Sequence, residues 1–314
     1  MEEVKTTIEE ALSGAAGFRH FVEDALKNTT IGIEMEFQYA HKGNKRFIGS
    51  SDKTFNFELN CFQKSDSIVD VSKNDAAIKD FKLLDSIGLD GGGKEFRFKP
   101  VRAKEYIDNL DKFAKLFNYL QQQGFKNSTG DAAGTHVHLD RFKFGSLANI
   151  VHFIEFNARN ADSLDKLWRR TGKQLSDMYT FRTVTLDEAK RFIIGCSSFS
   201  DLNGRAIRSC LRANPNGVGT FEFRNFNSSF DIRLLVARIV YLAASAHVYS
   251  LDNVVSDNSQ SARLLIHILS VAHLLTNNSS DTLSYFNYGF LYESLIKLDS
   301  VKEVEETVLK PIVA

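Results

Sequence analysis

The sequence predicts an α+β fold, a mainly antiparallel β-sheet with one polar face and helices packed on the other. Three segments carry the prediction: Gly32-Ile33-Glu34-Met35-Glu36-Phe37, Thr135-His136-Val137-His138 and Phe221-Glu222-Phe223-Arg224. A strand turns successive side chains to opposite faces, so each segment puts two ionisable groups on one side. Ile33, Met35, Val137, Phe221 and Phe223 then point to the other. Any one of these strands alone reads as a solvated face, which ordinarily mixes Thr, Lys, Ser and Glu. Glu/Glu, His/His and Glu/Arg together read as a polar working face.

Taken in order, the first segment is helical, with Thr6 or Thr7 three residues before Glu9 or Glu10 as a capping box. Residues 31–40 alternate as a strand, and Asn56, Glu58 and Asn60 oppose Phe55, Phe57 and Leu59 in a second. Lys94-Glu95-Phe96-Arg97-Phe98 alternates again, after the turn Gly91-Gly92-Gly93, and is expected to stop at Pro100, which cannot extend a ladder. Arg102 to Gln123 has helical spacing at Tyr106, Leu110, Phe113, Leu116, Phe117 and Leu120 and ends at Gly124. Beyond the histidine strand, Leu147 to Arg170 reads as one long helix, with a further helical stretch to about Gly195. Arg208, Cys210 and Arg212 oppose Ile207, Ser209 and Leu211 in another strand, and Asn214-Pro215-Asn216-Gly217 turns into the strand Gly219 to Phe226. From Asp231 the pattern is helical to the end. Leu264 to Leu275 reads as a buried helix, too short for the roughly 20 residues that span a bilayer.

Composition narrows the function classes. Lys+Arg and Asp+Glu are equal at 39 each, so no global field draws nucleic acid or an anionic membrane. Cys61, Cys196 and Cys210 are few, odd in number and lack CxxC spacing, so neither a disulfide scaffold nor a structural zinc site is indicated. Met1-Glu2-Glu3-Val4-Lys5 lacks the basic start and apolar run of an export signal, so a cytoplasmic chain is expected. The triple glycine is followed by no GKS or GKT and is not a Walker loop. His20, His41, His152, His247, His267 and His273 read as surface or core residues.

The polar face collects Glu34, Glu36, Glu95, His136, His138, Arg212, Glu222 and Arg224. Carboxylates at close quarters repel one another and would take up protons unless a cation compensates. Glu oxygens suit Mg²⁺ or Mn²⁺, and no thiolate lies nearby in sequence. Arginines beside such ions point to phosphate, which a guanidinium binds bidentately.

Four elements, in this order, resemble the amidoligase family, within the carboxylate-amine ligase fold shared by glutamine synthetase and glutamate-cysteine ligase. They are Gly32-Ile33-Glu34-Met35-Glu36-Phe37, like GxExEF; Glu95 in a short strand before Pro100; Gly134-Thr135-His136-Val137-His138, like GxHxH; and Thr220-Phe221-Glu222-Phe223-Arg224, like TxExR. The resemblance implies a glutamine synthetase-like fold and one catalytic domain over 1–314, with the motifs in a core over 31–226 and a helical part over 231–314. It implies Glu34, Glu36, Glu95, His136 and Glu222 as ligands of two Mg²⁺ or Mn²⁺ ions. His138 would face the phosphates of ATP, with Arg212 a further phosphate ligand, and Arg224 would hold the transferring phosphoryl group, making Arg224 and Glu222 the catalytic pair. Asp90 would contact substrate, and Arg170, Tyr179 and Arg182 fall in the region that would select it. Where the family has Ser-Pro-Pro after its second glutamate, this chain has Arg97-Phe98-Lys99-Pro100.

The implied activity joins a small-molecule or peptide carboxylate to an amine through an acyl phosphate. Two rivals stand beside it. A two-histidine-one-carboxylate oxygenase could use His136 and His138, although it leaves the ExE and ExR pairs without a task. A catalytically silent binding module on the same fold would have lost its metal ligands, which are present here.

Overall fold

A computed structural model describes residues 6–39, 55–56, 61–62, 81–90, 93–122, 124–127, 133–168, 180–214, 219–251 and 259–277. Helix α1 (Ile8–Leu12) starts at Thr7, whose hydroxyl accepts from the Glu10 amide while the Glu10 carboxylate accepts from the Thr7 amide. Then come α2 (Ala15–Asn28), β1 (Thr30–Tyr39), β2 (Phe55–Asn56), β3 (Cys61–Phe62), β4 (Leu84–Asp90) and β5 (Gly93–Arg102). Helices α3 (Ala103–Asp108) and α4 (Leu110–Gln122) lead to β6 (Phe125–Lys126) and β7 (Gly134–Asp140). After α5 (Leu147–Arg159), α6 (Ala161–Trp168) and α7 (Leu186–Ile193), the strands resume with β8 (Ala206–Ile207), β9 (Leu211–Ala213) and β10 (Thr220–Asn227). Helices α8 (Ile232–Leu251) and α9 (Gln260–Asn277) follow.

The strands form one antiparallel sheet in the order β3-β2-β4-β5-β1-β7-β10-β9-β8, with β6 pairing the far end of β1. This is the α+β architecture that the alternation predicts. Ile31, Ile33, Met35 and Phe37 are buried beside Phe96, Phe98, Val137, Leu139, Phe221 and Phe223, so this face of the central strands is mainly apolar, with the buried Thr135 opposite Met35 as a polar member. Helices close it off: Phe113 of α4 meets Phe98 at 5.0 Å between ring centroids, and Phe153 of α5 meets Phe223 at 5.7 Å. Helix α8 is long and apolar enough for a membrane span, yet 89% of that stretch is buried inside the protein, which makes it a core helix. Its buried Arg238 donates to the Leu167 carbonyl at 2.8 Å and the Asn227 carbonyl at 2.9 Å, tying the end of β10 to α6.

Register decides what shares the polar face. β1 and β7 pair without a break, with Glu34 opposite His136 and Gly32 opposite His138. Each flanking strand then carries a bulge. Lys99 and Pro100 of β5 stand against Gly32, and Arg224 and Asn225 of β10 stand against His136. The strand therefore runs through Pro100 to Arg102 and does not stop there as expected. A bulge leaves a residue outside the ladder, so a proline without an N–H is tolerated.

Other expectations are corrected. The helix read over Arg102 to Gln123 breaks at Asn109, and the one read over Leu147 to Arg170 breaks at Asn160. Each asparagine side chain donates to a carbonyl four residues back, Glu105 and Phe156 respectively, at 2.8 Å. The single strand read through Arg208, Cys210 and Arg212 is instead the hairpin β8–β9, turned at residues 208–210 with Arg208 at φ 48°. The Arg208 guanidinium holds that turn by donating to the Thr183 carbonyl at 2.9 Å and to Glu188 at 3.1 Å. Glu58, Leu59, Asn60, Arg170, Tyr179, the Pro215-Asn216-Gly217 turn and residues beyond 277 lie outside the described residues.

His267 of α9 gives this packing a pH signature. Its ring meets Phe18 edge-on at 4.4 Å, and burial pushes the imidazole down from 6.5 to about 4. Between those values the unfolded chain binds a proton that the native chain refuses, so this contribution is present above pH 6.5 and is lost as pH falls toward 4. Denaturant unfolding of wild type and His267→Gln across that window should show wild type losing more stability on acidification. Parallel curves would refute the assignment.

Candidate metal centre

Four adjacent strands deliver the polar face. β5 supplies Glu95 and Arg97, β1 supplies Glu34 and Glu36, β7 supplies His136 and His138, and β10 supplies Glu222 and Arg224. His136 lies at the centre, 3% exposed. Its Nδ1 is 3.4 Å from Glu34 and 3.5 Å from Glu222, while its Nε2 is 3.5 Å from Glu36. His138 Nε2 lies 3.5 Å from Glu34. Two triads result, Glu34-His136-Glu222 and Glu36-Glu95-His136, in each of which the ligand atoms lie within 4.8 Å of one another.

These residues fit a divalent ion. Opposite ligands around an ion with ~2.1 Å bonds stand about 4.2 Å apart, so each triad needs only a small adjustment. Among the described residues, the buried Nε2 atoms of His136 and His138 have no hydrogen-bond partner, a costly state that ligation relieves. Oxygen with one imidazole is a donor set for Mg²⁺ or Mn²⁺. Burial pushes the Cys210 thiol up to about 12, so it offers no competing thiolate.

Charge is unevenly held. Burial works to raise the Glu34 carboxyl, but the His136 and His138 imidazoles beside it outweigh that effect and hold Glu34 far below the ordinary carboxylate range. Glu95 moves the other way, raised by burial and by the charge of Glu34 against the pull of Arg97. The Glu36 carboxylate also accepts from the Gly134 amide at 2.7 Å, which anchors it to the start of β7.

The structure brings seven of the eight residues of the expected face together. Arg212 is the exception: its Cα pairs with Glu222 on β9, yet its side chain is exposed and forms no ion pair among the described residues. Arg182 is exposed as well and pairs with Asp162 at 2.8 Å. Asp90 ends β4, paired with Gly93. Arg97 is the residue that the sequence reading passed over. Its Nη2 donates to Glu95 at 2.7 Å and its Nε lies 3.9 Å from Glu34. Arg224 matches it across the sheet, bound to Glu222 at 2.8 Å. The signal was available, since Glu95-Phe96-Arg97 repeats the pattern of Glu222-Phe223-Arg224.

Among solved structures, the chain is similar to Plasmodium falciparum glutamine synthetase, at 12% identity over 91% of this chain and 77% of that one, with a TM-score of 0.38. It is also similar to GmaS without ligand, at 13% identity over 93% of this chain and 76% of that one, with a TM-score of 0.33. Scores this low give neither likeness any weight on its own. No family model and no curated protein matches the chain, so the amidoligase resemblance rests on its four motifs.

Ions bound by the folded state alone stabilise it through linkage, by about 2.7 kcal/mol at a hundredfold excess over Kd. Thermal unfolding should therefore shift upward by several degrees on adding Mn²⁺ or Mg²⁺, and the shift should vanish in Glu34→Gln combined with Glu36→Gln. An unshifted wild type, or an equal shift in the double variant, would remove the metal assignment.

Proposed function

We propose that this chain is an ATP-dependent carboxylate-amine ligase of the amidoligase type, working through an acyl phosphate. The observation that carries the reading is the pair of oxygen-rich triads sharing His136, with the Arg224 guanidinium beside Glu222 on the same face. Carboxylates and an imidazole suit divalent ions, and a planar guanidinium next to them suits a phosphoryl group.

In the reaction, a carboxylate oxygen of the acid attacks the γ-phosphorus of ATP. The bond to the bridging oxygen breaks and ADP leaves with its electron pair. The amine nitrogen then attacks the acyl carbon, the bond to phosphate oxygen breaks, and the amine gives up a proton to leave an amide and inorganic phosphate. Divalent ions, when bound, neutralise charge on the phosphoryl oxygens. Glu34, Glu36, Glu95, His136 and Glu222 would hold them. Arg224 would grip the transferring group through two N–H donors, and His138, beside Glu34 and outside both triads, would face the phosphates. Arg212, one strand further out, would meet the phosphates only at the rim. Positioning and electrostatics do the catalysis, so the chain needs no nucleophile of its own. The oxygenase reading gains nothing, because neither triad includes both histidines.

The decisive experiment incubates the protein with ATP, Mg²⁺ and pools of acids and amines, following ADP release and the mass of new amides. ADP formation that needs both an acid and an amine supports the ligase; ATP turnover indifferent to both rejects it. With a substrate pair in hand, Arg224→Lys keeps the charge and loses the planar fork, so ATP binding should persist while turnover drops ~100-fold. Glu222→Gln should instead weaken metal binding and turnover together. A fully active Arg224→Lys protein would take this arginine out of the mechanism.

A further inference from the structure

We propose that the cleft between α7 and the β8–β9 hairpin, at the edge of the sheet, binds a small phosphate dianion, free or as a monoester, between the guanidinium groups of Arg191 and Arg205. The cleft is separate from the glutamate cluster, and the inference does not rest on the ligase reading.

Helical spacing builds one wall. Glu188, Arg191 and Phe192 stand three and four residues apart on α7 and so share one face. Arg205, Ile207 and Arg208 of the hairpin line the other side of a cleft of about 290 Å³. Small-molecule pockets usually hold about 300–1,000 Å³, so the occupant here is compact. Phe192 and Ile207 are buried and give the cleft an apolar floor. Phe192 also meets Phe221 at 6.1 Å between ring centroids, which sets the cleft on the helix-covered side of the sheet and away from the glutamates.

Charge selects an anion. Three guanidinium groups against one carboxylate leave two positive charges, in a chain whose formal net charge is zero. The carboxylate is already neutralised: Arg208 Nη2 lies 3.1 and 3.3 Å from the two oxygens of Glu188. Arg208 makes that pair from a backbone at φ 48°, the one positive φ outside glycine among the described residues. Such conformations persist where surrounding contacts over-determine them, and they gather at ligand sites. Arg205 Nη1 donates to the Ile194 and Phe192 carbonyls at 2.7 and 3.0 Å. Those carbonyls form the negative end of α7, so Arg205 shields the cleft from a charge that would repel an anion. The other nitrogens of Arg205, and the whole Arg191 guanidinium, make no hydrogen bond or ion pair among the described residues. Two planar forks with uncommitted donors suit a phosphate, which carries about two negative charges and three acceptor oxygens on one atom. A dicarboxylate spreads the same charge over two separated groups, which a compact cleft serves less well.

Calorimetric titration of the full chain with inorganic phosphate, glycerol phosphate and succinate tests the site without any turnover. Arg191 is exposed, so Arg191→Gln should keep a native circular dichroism spectrum. Wild type should bind at least one of the phosphates, and Arg191→Gln should bind it ~10-fold more weakly, as loss of a charge-assisted contact requires. Arg224→Gln should bind it as wild type does. Tighter binding of glycerol phosphate would identify a monoester as the ligand, and tighter binding of inorganic phosphate the free ion. No binding of either by wild type, or undiminished binding by Arg191→Gln, would overturn the inference. Loss of binding in Arg224→Gln would place the phosphate on the glutamate face instead, and succinate binding as tightly as the phosphates would overturn the ligand class.

Discussion

Everything on the polar face answers to the mutual repulsion of Glu34, Glu36, Glu95 and Glu222, set on three of four adjacent strands around His136 of the fourth. Two like charges 4 Å apart cost about 4 kcal/mol at an effective dielectric constant of 20, and four such groups multiply the cost. The chain answers by giving the outer pair of strands one guanidinium each, bound to the glutamate of its own strand, and by placing imidazoles between. Glu34 and Glu95 respond in opposite senses to their surroundings, one held ionised and the other pushed toward its neutral form. Groups arranged with such electrostatic tension are more common where charge has to be bound than where a fold is merely held together.

The opposite face supplies the stability that this arrangement consumes. Phe37, Phe96, Phe98, Phe221 and Phe223 sit one residue from the charged side chains and are buried, Phe37 and Phe98 against α4, Phe223 against α5 and Phe221 against α7. Each strand is thus held by its apolar alternation while its other side is free to carry an unfavourable set of charges. Chemistry and core are interleaved in sequence and separated in space.

Much of this was legible in the chain itself. Period-two alternation identifies β1, β5, β7 and β10 and sorts Glu34, Glu36, Glu95, His136, His138, Glu222 and Arg224 to one face, because that sorting depends only on local geometry. Pairing does not, since opposing Glu34 to both Arg97 and His136 is a long-range choice no single segment encodes. Arg97 lies outside the motif that Glu95 resembles, and only the Glu-Phe-Arg pattern shared by β5 and β10 points to it. Asn109 and Asn160 ended helices whose apolar spacing continues past them, as local side-chain hydrogen bonds overrode periodicity. Arg212 keeps the strand position expected of it, but position on an outer strand did not bring its side chain to the cluster.

The bulge at Lys99-Pro100 divides β5 into two reading frames. One half, from Glu95 to Phe98, is addressed by β1 and carries the site, while the other, Val101 and Arg102, is addressed by the first residues of β1 and leads into α3. Loss of one residue at the bulge would merely restore a regular ladder and leave both addresses unchanged. The same loss between Glu95 and Arg97 has no slack to absorb it, and would turn one of the pair from the charged face into the phenylalanine core. Tolerance to changes in chain length is therefore stored a few residues outside the centre, where the strand can miscount without moving a ligand.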